Sequence, residues 1–566
     1  MSRREAWLSA AAVFAVALVV RVIGAAAIVF PVPEDTAYYA GVARNLVEGR
    51  GLISDALWSY QTQPLIVPRA AFEIWMPLPS LLAAVPMALA GAANWFRAAQ
   101  VVSVLAGSAI AVMAWRLGAD VAAELNLPAG RARTMGVGAG LLAAVFGPLV
   151  LFAALPDSTA LFAAFSLAAC LLMTRITARE SLAQTSGDAA AGRGTPAVRG
   201  AAAAAAQHAH LVALGLLLGL AALTRSEAVW LALTWAVVAW LWTPGSRRHR
   251  VFLIGLPAVV AILVVAPWLI RDWLVFGTPL PGQSAVNAIF VHSTDVFAYR
   301  DTPTLGRFLA EGPAGLAGIY AGGLANDIFS VLLVPAFPVG LVGLAALPWA
   351  GRRRALRPLV LVSVFTFLAT SLMFPVATQS GTYLHASEAA LVLAAVCCLV
   401  VLDQAIVRIG RIRHWTRPVA WLGPAFAIAA AAPLCFVSVN SVAGQASYTS
   451  SRYETLAVAM AGAGVPLDNS SPVITDTPIW LAEAARVRTL ALPEESPASV
   501  LDLANRFGAR LVVVRDSTDR EWPAILAQGG AASKCFQEVP LADISGNKPE
   551  KGSQLAEIHV FRIVCR

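Results

Sequence analysis

Apolar stretches of about 17–25 residues recur along the whole chain, and they constrain its fold more than any other feature. A helix of that length can cross the hydrocarbon core of a bilayer. Of the 566 residues, 58% are hydrophobic and 13% are charged, whereas soluble domains carry about 25% charged residues. The sequence therefore predicts a polytopic α-helical membrane protein with limited soluble parts.

About eleven segments qualify as spans, and they cover residues 6–30, 97–116, 134–154, 157–174, 208–224, 227–243, 251–273, 328–349, 357–375, 385–403 and 418–438. The net charge of +8 does not indicate a nucleic-acid partner, because the basic residues form short clusters between these segments. The clusters lie at 131–133, 175–199, 247–250, 352–354 and 408–417. If the N-terminus is cytoplasmic, all of them fall on the cytoplasmic side and the C-terminus lies outside.

Two places test this topology. Residues 77–91 are apolar but short and contain three prolines, which indicates a helix at the membrane interface. Residues 208–243 could form one long helix, but a single span would bury Arg225 and Glu227 near the bilayer centre, which costs several kcal/mol. Two short crossings with a turn at that point are therefore favoured.

The chain divides into a transmembrane domain, residues 1–438, and an extracytoplasmic domain, residues 440–566. The first carries outer loops at 31–96 and 276–327, and a low-complexity, flexible cytoplasmic connector at 183–207.

Strand-like runs at 472–475, 511–514 and 558–564 and a helical run at 499–507 predict that the second domain is a small α/β unit. Its two cysteines, Cys535 and Cys565, either form a disulfide or remain free.

Polar residues gather at the outer edges of the predicted spans. They are the acids Asp35, Glu73 and Asp157, the cations Arg225 and Arg271, and the pair Tyr383 and His385. Each comes from a different segment, so they converge only if the helices bundle. Together they provide a carboxylate that could take a proton and arginines that suit a phosphate.

Several fragments resemble bacterial glycosyltransferase family 39, a group of C-type membrane glycosyltransferases that includes protein O-mannosyltransferases and aminoarabinose transferases. The fragments are residues 34–39, 43–46, 48–51, 72–78, 219–225, 267–273 with 276–277, and 381–385. They occur in the family's order across the whole membrane part, and the C-terminal part resembles the periplasmic domain of many relatives.

The resemblance implies transfer of a sugar from a polyprenyl-phosphate donor to an acceptor hydroxyl of a protein, lipid or cell-envelope glycan. It places this inverting reaction at the outer face of a bacterial-type cytoplasmic (inner) membrane. It implies that Asp35 is the base. Because relatives often have Asp-Glu where this chain has Glu34-Asp35, Glu34 is a catalytic candidate too, and either carboxylate could point inward. The other residues expected at the site are Asp157 for catalysis, Arg225, Arg271, Tyr383 and His385 for the donor phosphate, and Glu73, Tyr38 and Tyr39 for the donor sugar or acceptor.

Each of these residues also has a structural interpretation. Asp35 and Asp157 could cap helices, Arg225 could pair with Glu227, Arg271 could be an interfacial arginine beside tryptophans, and Glu73 could be a surface acid. His385 could be a hydrogen-bonded structural residue. Arg21 lies inside the first span without an evident partner, and the aromatic residues Phe290, Phe297 and Tyr299 are candidates for an acceptor groove.

Two other functions remain open. A transporter or flippase of a lipid-linked saccharide would place polar residues near the midplane and often contain inverted repeats, whereas here the ionisable groups collect at one face. A non-catalytic relative would bind lipid-linked sugar without turnover. Three carboxylates on one face could hold Mg²⁺ or Mn²⁺, and whether a divalent cation is required is open.

Overall fold

The computed structural model describes residues 2–91, 94–190, 197–282, 284–416, 419–516, 522, 530–542, 549–550 and 553–565. Residues 191–196 of the predicted connector lie outside the described residues, and helices flank them on both sides.

The described helices are α1 (Arg3–Ala27), α2 (Glu34–Val47), α3 (Leu78–Ala90), α4 (Trp95–Glu124), α5 (Ala129–Val145), α6 (Gly147–Ala153), α7 (Thr159–Ala190), α8 (Ala197–Ala222), α9 (Ala228–Trp242), α10 (Arg247–Phe276), α11 (Ser284–Asn287), α12 (Leu305–Ala310), α13 (Gly312–Ala325), α14 (Val339–Ala350), α15 (Arg357–Met373), α16 (Glu388–Ile412), α17 (Leu422–Gly462), α18 (Pro478–Ala485) and α19 (Pro497–Phe507).

Within the described ranges, nine helices are long and apolar enough to cross a membrane. They are α1, α4, α7, α8, α10, α13 with the π-helical turns that continue it, α15, α16 and α17. A tenth span results if α5 and α6, which meet at a 58° bend, are counted as one. The predicted polytopic helical architecture is confirmed, with nine or ten such spans among the described residues where about eleven were predicted.

The predicted span 328–349 differs from the structure. The chain continues from α13 as a π-helix over Asn326–Leu333, turns, and begins the separate helix α14 at Val339. Pro335 and Pro338 lie in the intervening turn, and proline cannot donate a backbone hydrogen bond or continue the preceding turn. The apolar run therefore ends one helix and begins another.

The bend between α5 and α6 explains Arg21, which is fully buried on α1. Its guanidinium donates to the Ala143 and Ala144 carbonyls at 3.1 and 3.3 Å. In a continuous helix those carbonyls would accept from Gly147 and Pro148, but the first lies beyond the bend and the second has no N–H. Arg21 thus supplies the hydrogen bonds that the bend removes.

Helices α14 and α16 cross in close contact at Gly343. A Cβ on Gly343 would lie 1.9 Å from the Ala394 carbonyl oxygen, so only glycine allows this approach.

We expect Gly343→Ala to force α14 and α16 apart and to lower the thermal midpoint of the purified protein, at a cost of about 1–3 kcal/mol. The matched control is Gly318→Ala on α13, where a Cβ would meet nothing within 4 Å. Equal thermal midpoints for the two variants would contradict this reading of the crossing.

The C-terminal part contains a six-stranded mixed sheet with the order β2-β5-β4-β6-β8-β7. Its strands are β2 (Ala56–Leu57), β4 (Val473–Thr475), β5 (Thr489–Ala491), β6 (Leu511–Arg515), β7 (Phe536–Val539) and β8 (Ile558–Ile563), and a separate ribbon pairs β1 (Ile53–Ser54) with β3 (Arg69–Ala70). The first four strands of the order run parallel, and β8 is antiparallel to β6 and β7. The predicted α/β character is confirmed.

The edge strand β2 comes from the first outer loop and not from the C-terminal part. Ala56 and Leu57 pair with Thr489 and Leu490, which ties the loop into the sheet. At the other end, Cys535 and Cys565 form a disulfide that joins the start of β7 to the segment after β8.

Candidate active site

The two carboxylates that begin α2 point to different parts of the molecule. The Glu34 Oε1 atom accepts from the backbone N–H groups of Ile479 and Trp480, at 3.1 and 3.3 Å, in the C-terminal part. The Asp35 Oδ2 atom lies 3.3 Å from His385 Nε2. The N-cap position of α2 is Pro33, so Asp35 does not cap the helix and faces the bundle.

Asp157 lies behind His385 in the turn between α6 and α7. Its Oδ1 accepts from the Thr159 N–H at 2.8 Å, which is the predicted capping contact. Its Oδ2 lies 4.0 Å from His385 Nδ1 and accepts from the Thr36 hydroxyl at 3.4 Å. Burial raises the pKa of Asp157 above its usual range.

The imidazole of His385 is buried between the two aspartates, and only 7% of its side chain is exposed. The Thr159 hydroxyl lies 2.7 Å from Nδ1 and holds the ring from the side opposite Asp35. Asp35 is the more accessible of the two aspartates, with 29% of its side chain exposed. The Asp35 carboxylate is therefore accessible to a reactant, and the His385 ring beside it has a fixed orientation.

Arg225 contributes a cation to the same group from the turn between α8 and α9. Its guanidinium pairs with both oxygens of Glu227, at 2.6 and 3.2 Å, so the structural alternative is present. It also donates to the Ser158 hydroxyl at 2.9 Å and to the Thr382 carbonyl at 3.4 Å. Arg225 thus links α8–α9 to the Asp157 turn and to the segment that carries His385.

Tyr39 completes this group, and its hydroxyl lies against Ser158. Burial raises the pKa of the Tyr39 phenol, with Arg225 acting in the opposite direction. The phenol therefore stays protonated at neutral pH and can donate a hydrogen bond.

Tyr38 faces a second group of residues, although its ring lies only 6.1 Å from that of Tyr39. Its hydroxyl accepts from the Phe72 N–H at 2.7 Å, and its ring packs at 4.0 Å from Trp75. Glu73 and Arg271 belong to this second group.

Glu73 is buried and paired with Arg69, so it is not a surface acid. Burial raises the pKa of Glu73, while Arg69 lowers it. Arg271 pairs with Asp272 at 2.8 Å and stacks 4.7 Å above the Trp268 ring. That geometry is the predicted interfacial arginine beside tryptophans, with 21% of the side chain exposed.

Tyr383 is buried, and its ring packs edge-on against Phe367 at 5.6 Å. The contact to Arg225 in this segment comes from the neighbouring Thr382 carbonyl. Of the three aromatic residues proposed for an acceptor groove, Phe290 packs against Val376 in a buried cluster, Phe297 lies 6.1 Å from Trp58, and Tyr299 lies 5.2 Å from Tyr60.

His385 lines an apolar cavity of about 210 Å³. Aliphatic and aromatic side chains from α6, α16, α17 and the π-helical segment line most of it, among them Leu151, Phe152, Leu391 and Val442. An apolar chain in this cavity would lie against His385, the partner of Asp35.

No group of three or more His, Cys, Asp or Glu side chains is placed to hold a metal ion within the ranges that the structure describes. The carboxylates named above are instead bonded to arginine, histidine, hydroxyl or backbone groups.

Sequence analysis missed the hydroxyls of Thr36, Ser158 and Thr159 and the buried Arg69. The first three could have been found, because Ser158 and Thr159 directly follow Asp157 and Thr36 directly follows Asp35. No sequence signal indicates that Arg69 pairs with Glu73 beyond their separation of four residues.

No protein-family model matches the sequence, and no curated protein matches it. Solved structures do. The archaeal oligosaccharyltransferase AglB from Archaeoglobus fulgidus, in complex with an inhibitory peptide and a dolichol-phosphate, matches with a TM-score of 0.53 and 13% identity, over 98% of this chain and 75% of that chain.

ArnT from Cupriavidus metallidurans also matches. In the apo state the TM-score is 0.51 with 14% identity, over 99% of this chain and 98% of that chain. The structure of ArnT bound to undecaprenyl phosphate matches with a TM-score of 0.50 and 14% identity, over 98% of both chains. The fold predicted from the family 39 resemblance, that of the C-type membrane glycosyltransferases, is the fold of this chain.

Proposed function

We propose that this protein transfers a sugar from a polyprenyl-phosphate donor to the hydroxyl of an acceptor at the outer face of the cytoplasmic membrane. The observation that carries the proposal is the position of Asp35, held 3.3 Å from the buried His385, which also lines an apolar cavity. The similar AglB and ArnT structures that hold dolichol-phosphate and undecaprenyl phosphate support a lipid phosphate as the ligand.

In the proposed step, the acceptor oxygen bonds to the anomeric carbon from the side opposite the phosphate, and its proton passes to the Asp35 carboxylate. The bond between the anomeric carbon and the phosphate oxygen breaks, and its electron pair leaves with the polyprenyl phosphate. The configuration at the anomeric carbon is therefore inverted. His385 fixes the orientation of Asp35, and Thr159 and Asp157 fix that of His385.

Negative charge grows on the phosphate as the bond breaks, and a cation placed there lowers the barrier. Arg225 is the candidate in the Asp35 group, because it donates to Ser158 beside Asp157 and to the Thr382 carbonyl near His385. Arg271 is a second candidate, from the group around Tyr38. The acceptor is a protein, a lipid or a cell-envelope glycan.

The proposed orientation puts the N-terminus in the cytoplasm and the C-terminal sheet outside, because the basic clusters then lie inside. The proposed domains are residues 1–438 for transfer and 440–566 for the outer domain, which is joined to the first loop through β2.

The test is a purified-protein assay against a panel of polyprenyl-phosphate sugars, with mass spectrometry of candidate acceptors. A covalent sugar product with inverted configuration is expected. The assay is run with EDTA and with added Mg²⁺ or Mn²⁺, which determines the cation requirement. Accumulation of saccharide in sealed vesicles without a covalent product would favour a transporter or flippase instead.

The apolar cavity leads to a separate prediction about the lipid chain of the donor. We expect Val442→Trp, which places a large ring in the cavity, to raise the KM for a long-chain donor by about tenfold, equivalent to roughly 50 Å² of apolar surface left unburied. A donor whose chain is too short to reach Val442 should be unaffected, because it does not meet the new ring. The control is Val437→Trp on the same helix, at a side chain that is 61% exposed. An equal effect on both donors would show that the lipid lies elsewhere.

A further inference from the structure

Glu34 supplies a partner for the start of a helix in the C-terminal part. The N–H groups in the first turn of a helix have no partner within the helix, and a carboxylate there is stabilised by the helix dipole. In α18 these groups belong to Ile479 and Trp480, and both donate to Glu34 Oε1. The Trp480 indole donates in turn to the Pro31 carbonyl at 3.0 Å, three residues before Glu34.

Helix α18 connects β4 to β5, next to the point where the connections of the sheet change direction. From β4 the chain passes through α18 to β5 on one side, whereas from β6 it leaves on the other side. In open α/β sheets, ligands commonly bind at the carboxyl ends of two strands whose connections diverge in this way, beside a helix N-terminus. Asp476 and Arg515, paired at 2.9 Å, lie at these ends of β4 and β6. Here the chain's own Glu34 occupies the helix N-terminus.

A second contact fixes the same helix pair. Both Arg44 guanidinium nitrogens bond to the two Glu483 oxygens at 2.6 Å, with side chains only 13% and 4% exposed. Between these contacts, a Cβ on Gly41 would lie 3.1 Å from Glu483 Oε2, so the helices pack closely. One face of α2 is thus bonded to the C-terminal part at both ends.

The opposite face of α2 carries the candidate active site. Asp35 faces His385, and Thr36 donates to Asp157. A shift of the first turn of α2 would therefore change the distance between Asp35 and the His385 ring, because that ring is held in place by Thr159.

We propose that Glu34 is a positioning residue, through which the C-terminal domain holds Asp35 against His385. The catalytic consequence rests on the proposed glycosyl transfer, but the contact itself does not. The N-terminus of α18, at the carboxyl edge of the C-terminal sheet, then holds the catalytic loop of the same chain.

The experiment compares Glu34→Ala with Glu34→Gln, whose amide oxygen can still accept the two hydrogen bonds. For Glu34→Ala we expect kcat to fall by about 10–100-fold, with the KM of the donor unchanged. Glu34→Gln should restore most of kcat, since position and not charge is required. The matched control is Glu48→Ala, which removes an exposed ion pair from α2 to Arg486 in the same C-terminal part and should leave kcat unchanged.

Hydrogen–deuterium exchange of segment 478–482 gives a readout that does not depend on activity. We expect exchange to be faster by about fivefold in Glu34→Ala, and close to that of the unsubstituted protein in Glu34→Gln and Glu48→Ala. Unchanged exchange in Glu34→Ala would overturn the capping contact.

Two kinetic outcomes would overturn the positioning role. They are full kcat in Glu34→Ala with accelerated exchange, and equal loss of kcat in Glu34→Ala and Glu34→Gln. If the unsubstituted protein transfers no sugar, the proposed function fails, while the exchange measurement still tests the contact.

Discussion

Asp35→Asn is expected to abolish sugar transfer while leaving the protein folded. The amide has the shape of the carboxylate but cannot take the proton of the acceptor hydroxyl, and loss of general base catalysis typically costs about 10²–10⁴-fold in rate. Folding should be little affected, because the Asp35 side chain is partly exposed and the asparagine oxygen can still accept from His385 at 3.3 Å.

The measurement is single-turnover transfer by the purified variant, together with its thermal midpoint and its affinity for polyprenyl phosphate. Glu34→Gln is the matched control, because it makes the same chemical change one residue earlier, at a carboxylate that faces the C-terminal part. Unchanged transfer by Asp35→Asn would remove Asp35 from the mechanism. Loss of transfer in Glu34→Gln alone would assign the base to the other carboxylate.

The contrast between these two residues shows where sequence reasoning ends. The sequence indicates a pair of acids at the start of an outer helix, but consecutive residues on a helix point about 100° apart. Which of them faces the bundle depends on α18, more than 440 residues later in the chain, and on His385. No local pattern contains that information.

The same limit explains which elements of the fold can be predicted from the sequence and which cannot. Long apolar runs determine spans such as α10 and α16 because composition alone makes them helices in a bilayer. The short strand β2 has two residues, Ala56 and Leu57, and no pattern of that length distinguishes a strand from a loop. The turn that breaks the predicted span 328–349 falls at Pro335 and Pro338. Proline alone does not predict such a break, because α10 continues through Pro257 and Pro267.

Arg21 shows a third case, in which the sequence identifies an anomaly and only the structure explains it. We expect Arg21→Leu to destabilise the protein by about 3–5 kcal/mol. The substitution leaves the carbonyls of Ala143 and Ala144 without the partner that replaces the helix hydrogen bonds lost at the bend. It also removes the cation whose field acts on the buried Glu388, whose two carboxylate oxygens accept no hydrogen bond within the described residues.

The loss is measured as the thermal midpoint in detergent and as the fraction of monodisperse protein. Arg116→Leu is the control, because its exposed pair with Asp120 should contribute only about 0–1 kcal/mol. If Glu388 is the charge that Arg21 balances, then Arg21→Leu combined with Glu388→Leu should be more stable than Arg21→Leu alone, since no uncompensated carboxylate remains. Recovery should stay incomplete, because the two carbonyls at the bend still lack a donor. Full recovery would assign the whole cost to the charge pair, and no recovery would assign it to the bend.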